Sequence, residues 1–561
     1  MSSSNDPSAI QLPCLAVAMI VRNAEKTLPA TLESIRPLAD IIVVADTGST
    51  DSTIEVAKKY TPNVISVDWQ QSFSAARNAC LDKVRSQWVL WIDTGESIAS
   101  EDASSMRQFV ELQADPQTAY RMMIREKRSP NTIMPEQVAR IRLVPNQPGI
   151  RFSGRVREDL TPTLEARGLS VDTIPWRIHR TVDQKAAALL NRARRDLELA
   201  ELEIQERGAH ARALNCLGEA LQALDEHARA GECFRHAIKN AARGSVDMLE
   251  SYYGLLTSLD GDPRSIEAQL AVCLDALEIF PLDMQLLCAM GGYLQAQNRL
   301  DLAARSYETA YRLGQIVPET WHLEELREVS AACFCLSSPE PDREQSVQAF
   351  LEEALQEHPQ SAHLRSLAIE WYGKRNQRDA AMRHADRLPT NTPHRDTIPA
   401  VVDGICLAAS QQWQPAAAIL ESAFEAGNRG VLCLRWLVSV HIARSDLQRA
   451  EQILAKWKQL EPNNLEVDRH LSDLQKLRSD KVPPDTPSIS PSKTQPPNQD
   501  GTIAPGTNQP QRISEHRALG SIPAPPPVHR TNPVRIDYGE TTRPSKPIST
   551  PHSSRQTESS S

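Results

Sequence analysis

Four positions recur three times in this chain at one fixed spacing. Gly218, Ala230, Phe234 and Ala237 are separated by 12, 4 and 3 residues, and so are Gly291, Ala303, Tyr307 and Ala310, and Gly404, Ala416, Leu420 and Ala423. Small residues at helical spacing let one helix approach its partner closely, and the aromatic ring or leucine fills the gap beside them. Looser copies follow the same logic at Leu351, Ala354 and Pro359, and at Ala450, Leu454, Trp457 and Pro462. A repeat of this kind dictates a stack of helical hairpins, each burying its apolar face against its neighbours.

The spacing resembles the tetratricopeptide repeat, a 34-residue helix–turn–helix unit. On that resemblance residues 210–477 form an all-α repeat array. The distance between copies is irregular, so insertions are expected, for example at Gly261-Asp262-Pro263. Such arrays offer a concave face to extended ligands. Two roles stay open: binding a protein or peptide partner on the repeat face, or rigidifying and oligomerising the protein.

The chain has 561 residues, too many for one domain of roughly 100–200 residues. From residue 481 to the C-terminus it carries 16 of its 39 prolines and isolated apolar residues only. Such a segment cannot offset its ordering entropy, and 478–561 reads as a disordered Pro/Ser/Thr-rich tail. The run Pro523-Ala524-Pro525-Pro526-Pro527 reads as plain linker or as a polyproline ligand. Nine basic and six acidic residues give 481–561 a charge of +3, leaving −12 of the total −9 to the rest. That balance argues against nucleic acid as a partner. The longest apolar run, Cys14 to Val21, is too short to span a bilayer, and the first residues lack a basic stretch. The ten scattered cysteines contain no Cys-x-x-Cys pair. They read as buried thiols in a reducing compartment, here the cytoplasm.

After a flexible N-terminus (1–12), the pattern changes to short apolar runs alternating with helical stretches. Leu15–Val21, Ile41–Ala45, Val64–Val67 and Trp88–Ile92 read as buried strands, with helices between them, including one over 74–85. Alternation of this kind makes an open α/β sheet, whose ligands bind at the carboxyl ends of the strands. Two of those ends carry acids, Asp46 and Asp93.

Met19-Ile20-Val21-Arg22-Asn23, the Asp46–Asp51 turn, Phe73-Ser74-Ala75-Ala76-Arg77-Asn78 and the strand ending at Asp93 together resemble a family 2 glycosyltransferase, whose fold is called GT-A. Gly149-Ile150-Arg151-Phe152-Ser153-Gly154-Arg155-Val156-Arg157-Glu158 is similar to the family segment G-I-R-F-x-G-R-V-H-E, found in a subgroup that often carries tetratricopeptide repeats. The resemblance implies a Rossmann-like, mostly parallel GT-A domain over 13–182, joined to the array by a connecting helix at 183–209. It further implies a nucleotide-sugar donor, UDP-linked, held by Asp46, Asp51 and Arg77. Asp51 reads equally as a helix N-cap, and Arg77 as a plain surface ion-pair residue. Asn78 reads as a brace for its loop.

Two departures from the family pattern bear on the chemistry. The family's Asp-x-Asp ends the fourth strand and holds Mn²⁺ or Mg²⁺; here the stretch is Asp93-Thr94-Gly95-Glu96, with Gly95 in place of the second acid. Metal binding through Asp93 and Glu96 is then weakened or absent. Arg157 replaces the family histidine. Inverting transfer needs a general base, for which Glu158 is the first candidate and Asp159 the second; Glu158 also reads as a salt-bridge partner. His179 falls where relatives have a histidine pair. The expected function is transfer of a sugar, with inversion, to a protein, peptide or glycan acceptor held partly by the repeats. The alternative is a catalytically impaired domain within a repeat scaffold.

Overall fold

The computed structural model describes residues 12–126, 136–181, 186–259, 265–316, 321–337, 344–460, 467 and 470–475. The tail 478–561, the start of the flexible N-terminus, the Gly261–Pro263 insertion and Pro462 lie outside the described residues.

The first domain is built on eight strands. They are β1 (Leu15–Val21), β2 (Ile41–Asp46), β3 (Val64–Ser66), β4 (Trp88–Trp91), β5 (Glu96–Ile98), β6 (Thr118–Glu126), β7 (Glu136–Pro145) and β8 (Ser170–Arg180). They form one sheet in the order β3-β2-β1-β4-β7-β6-β8-β5. β3, β2, β1 and β4 are mutually parallel, whereas β7 runs antiparallel to both β4 and β6. β8 pairs parallel to β6 and antiparallel to β5. β1 is buried on both faces, so its near-continuous apolar sequence is what its place inside the sheet demands.

Helices α1 (Leu28–Ile35), α2 (Thr53–Lys58), α3 (Phe73–Leu81), α4 (Ser100–Leu112) and α5 (Thr161–Ala166) complete the domain. Leu15, Val17 and Met19 pack with Leu28, Leu32 and Met106 on one face of the sheet. Ala16 and Ala18 pack with Cys80, Leu81 and Leu164 on the other. The strand period of two therefore sends alternate β1 residues into two separate cores.

Helix α6 (Ala186–Arg207) leads into seven hairpins. They pair α7 (Ala211–Ala223) with α8 (His227–Asn240), α9 (Val246–Ser258) with α10 (Ile266–Ile279), and α11 (Met284–Ala296) with α12 (Leu300–Ile316). α13 (Trp321–Ser337) and α14 (Glu344–Glu357) follow, then α15 (Ala362–Lys374) and α16 (Arg378–Asp386), α17 (Ile398–Ala409) and α18 (Trp413–Glu425), and α19 (Val431–Ala443) and α20 (Leu447–Leu460). The repeat spacing has the physical meaning expected of it. A Cβ on Gly218 would stand 2.7 Å from the Phe234 ring, one on Gly291 2.8 Å from the Tyr307 ring, and one on Gly404 2.5 Å from Leu420. Ala230, Ala303 and Ala416 are fully buried.

Two hairpins escape the spacing because their glycines are filled from elsewhere. Gly254 of α9 faces Phe234 of the preceding hairpin, and Gly373 of α15 faces Ile405 of the following one.

Candidate active site

Parallel pairing brings the carboxyl ends of β1, β2 and β4 to one rim. Val21 stands beside Asp46, and Ala18 beside Trp91, two residues before Asp93. Asp46 is 3 % exposed. Its Oδ2 accepts the backbone N–H groups of Gly48 and Ser49, each at 3.0 Å. Gly48 takes φ +97° with open space where a side chain would project. Asp46 Oδ1 is buried and receives no donor among the described residues. Leaving a buried acceptor unmatched costs about 1–3 kcal/mol, which a ligand N–H or hydroxyl would recover. Asp51 is more fully used: Oδ1 accepts from the Thr53 N–H and hydroxyl, and Oδ2 from the Glu25 N–H. Its oxygens fasten the start of α2 and the β1–α1 loop.

The second acid of the rim lies in a cluster of three carboxylates and three guanidiniums. Arg77, on α3, is 6 % exposed. It donates from Nε to Glu158 Oε1 at 2.6 Å and from Nη2 to Asp93 Oδ1 at 2.8 Å. Its guanidinium carbon lies 5.2 Å from the Trp91 ring and 5.5 Å from that of Phe152. Arg77 does form ion pairs, but as a buried bridge between two acids rather than the surface pair of the alternative reading. Asn78 braces the next loop, its side chain exchanging two 2.9 Å hydrogen bonds with the Phe152 backbone.

Arg142 of β7 and Arg180 of β8 complete the cluster. Arg142 Nη2 donates to Asp93 Oδ2 at 3.0 Å and to Glu96 Oε1 at 2.8 Å. Arg180 donates twice to the same Glu96 oxygen, at 3.1 and 2.6 Å. Glu96 Oε2 accepts the Asp93 N–H at 2.8 Å, and Glu96 has no exposed surface. Burial alone would raise the Asp93 pKa, but Arg77, Arg142 and Arg180 hold it well below the usual carboxylate range. Burial likewise works against the charge of Arg77, and Asp93 and Glu158 outweigh it, so its pKa is raised.

These residues do not fit a divalent cation. Asp93 and Glu96 do come together, as the sequence led us to expect, but an Arg142 nitrogen sits between them where a shared ion would stand. Among the described residues no group of three His, Cys, Asp or Glu side chains could hold a metal ion. Gly95 shows why the second acid is missing. It takes φ +84°, and a Cβ there would meet the Thr181 carbonyl oxygen at 3.0 Å. The position is a tight turn that disfavours any side chain.

Glu158 uses only Oε1, toward Arg77, among the described residues. Asp159 turns away from the rim. Its Oδ1 accepts from Thr161, and its Oδ2 from Arg212 of α7 at 2.6 Å. Burial opposes the Asp159 charge, but Arg212 and Thr161 lower its pKa. Arg157, the residue in place of histidine, reaches between Glu219 of α7 and Glu250 of α9. His179 is exposed on β8, opposite Ser97 of β5. The sequence reading did not single out Arg142 and Arg180. Arg142 carried a signal, standing between apolar Ile141 and Leu143 in a strand; Arg180, between His179 and Thr181, carried none.

Residues 16–128 match the model of Glycosyl transferase family 2. A TPR repeat-containing protein of Synechococcus elongatus is 29% identical over 164 residues, 29% of this chain and 39% of that protein. The glycosyltransferase SunS of Bacillus subtilis is 32% identical over 92 residues, 16% of this chain and 22% of that enzyme. The chain thus spans well under half the length of these curated relatives. A tetratricopeptide repeat protein from Parabacteroides merdae superposes with a TM-score of 0.36 at 15% identity, covering 47% of this chain and 98% of that structure. Residues 16–128 are therefore similar to a family 2 glycosyltransferase domain, and a tetratricopeptide-like helical array follows them. Among the described residues no helix is long and apolar enough to cross a membrane.

Proposed function

We propose that the first domain transfers a sugar, with inversion, from a UDP-sugar to a protein, peptide or glycan acceptor held in part by the repeats. The family match supports glycosyl transfer in general. One observation carries the finer reading: Arg77 joins Asp93 at the rim to Glu158, so a leaving-group site and a base stand on two sides of one guanidinium.

In this reading Asp46 receives the nucleotide through its unmatched Oδ1, beside the open backbone at Gly48. Asp51 supports that turn. The acceptor hydroxyl attacks the anomeric carbon and gives its proton to Glu158 Oε2. The bond from that carbon to the diphosphate oxygen breaks, and its electron pair leaves with UDP. Guanidinium N–H groups of Arg77 and Arg180 stabilise the developing charge, a role for which charge-assisted donors in a buried site are suited. No step passes through a metal ion. A cytoplasmic location belongs to the same proposal.

The guanidinium between Asp93 and Glu96 also favours a second reading, a nucleotide-binding support for a repeat scaffold. Titration of the full chain with UDP and UDP-sugars, followed by assay of UDP release, separates the two. The transferase reading expects binding, and a fall in turnover of about 10²-fold or more in Glu158→Gln with UDP affinity kept. Binding without turnover supports the scaffold; absence of binding to any UDP-sugar overturns the nucleotide assignment.

A further inference from the structure

Arg155, Val156, Arg157, Glu158 and Asp159 form one short segment, and its side chains divide sharply. Arg155 donates from Nε to Glu206 of α6 at 2.7 Å, and its backbone N–H donates to Glu203 at 2.6 Å. Val156 packs with Leu199 and Ala200 of α6 and Cys216 of α7. Arg157 pairs with Glu219 and Glu250, and Asp159 with Arg212, which also reaches Asp247 of α9 at 3.5 Å. Glu158 turns instead to Arg77 of α3, and Arg155 also donates from Nη1 to the Gln70 and Gln71 carbonyls of the first domain. The turn is held in a backbone conformation that few residues adopt: Arg157 has φ +51° without being glycine. Such a conformation persists where surrounding contacts over-determine it. Here the turn is closed by a backbone bridge between Ser153 and Asp159 and tied to Phe73, while the contacts made by the Arg157 side chain itself come from the first two hairpins of the array.

We infer that Glu219 and Glu250 are positioning residues for sugar transfer: through Arg157 they fix the turn that aims the Glu158 carboxylate at the rim. The inference rests on the proposed role of Glu158 as base. It makes the start of the repeat array a working part of the transfer site. It also gives the exchange of histidine for Arg157 a purpose, since a guanidinium can span two carboxylates on separate helices.

The test uses the full chain and its E219Q/E250Q variant. One readout is UDP release from UDP-glucose, UDP-galactose and UDP-N-acetylglucosamine. A second is UDP affinity, and a third is hydrogen exchange of the backbone amides of residues 153–159. The expected result is kcat lowered at least tenfold, UDP affinity within twofold of the parent, and faster exchange across 153–159. Unchanged exchange overturns the inference, whatever the activity does. Faster exchange with kcat intact overturns it too, since the contacts would then hold the domains together without aiming Glu158. If the parent chain releases UDP from none of the three donors, the function proposed above fails. The exchange data alone then decide whether the two glutamates hold the turn.

Discussion

The two halves of the molecule are secured by opposite means. The first domain gathers six charged side chains at the rim of its sheet, with Glu96 and Arg142 almost wholly out of water. The array uses shape, setting the Phe234 and Tyr307 rings and the Leu420 side chain against bare glycine backbone. A charge cluster fixes directions at an energetic cost, and the loss of a fully buried member is destabilising. Ring-into-glycine packing involves no buried charge, and its failure is local. Fixed direction thus sits in one half and close packing in the other.

The largest blow to this contrast is Arg142→Met, which strips the guanidinium from between Asp93 and Glu96. Removing one partner of a buried pair costs about 3–5 kcal/mol. Calorimetry should show the first domain's transition collapsing while the array's stays in place. Gly404→Ala is the matching insult to the array: a Cβ 2.5 Å from Leu420 forces a shift costing about 1–3 kcal/mol. It should lower the array transition and leave UDP affinity untouched.

A smaller effect is expected of Gly95→Asp, which restores the family's second acid. The left-handed turn and the Thr181 carbonyl make that substitution cost about 1–2 kcal/mol, read as a lower unfolding midpoint. It should not confer metal-dependent UDP binding.

Acid should then separate the halves. Burial, the first cause, holds the His363 and His384 pKa values below the usual histidine range, with Glu352 opposing it at His384. Below about pH 6.5 the unfolded chain therefore binds more protons at these sites, and array stability falls as pH drops through that range. Asp93 is held low by its arginines, so its contribution is whole above about pH 4 and is lost only in stronger acid. Midpoints recorded from pH 8 to pH 4 should show the array softening first. The smallest effect concerns metal: EDTA or added Mn²⁺ should alter the Kd for UDP less than about twofold, because Arg142 already holds both acids. A larger change would mean that the cluster opens for a cation.

The acids of the rim were legible in the sequence because each ends an apolar run, and a buried parallel strand advertises its own end. So were three of the hairpins, where the glycine and the ring or leucine that covers it lie on consecutive helices. Arg142 and Arg180 were not, because β7 and β8 enter the sheet by long-range pairing. That Glu96 stands opposite Arg180 is a matter of register between strands about eighty residues apart. Asp51 was visible with its local partner Thr53 two residues on, but the partners of Glu158 and Asp159, Arg77 and Arg212, follow from tertiary packing. The alternatives posed for Asp51 and Glu158 were a fair reading of local spacing.

Phe234 has a consequence beyond its own hairpin. Its ring occupies the space over Gly218 and over Gly254, so one side chain belongs to three successive helices. Ile405 likewise ties the hairpin of Gly373 to its own. In a linear array where each unit touches only its neighbours, such shared side chains act as the coupling constants of a chain of switches. Loosening α7, to which the first domain is fastened, should therefore be felt at α9 through the one ring they share. In such a chain cooperativity runs from the first domain outward along the helices.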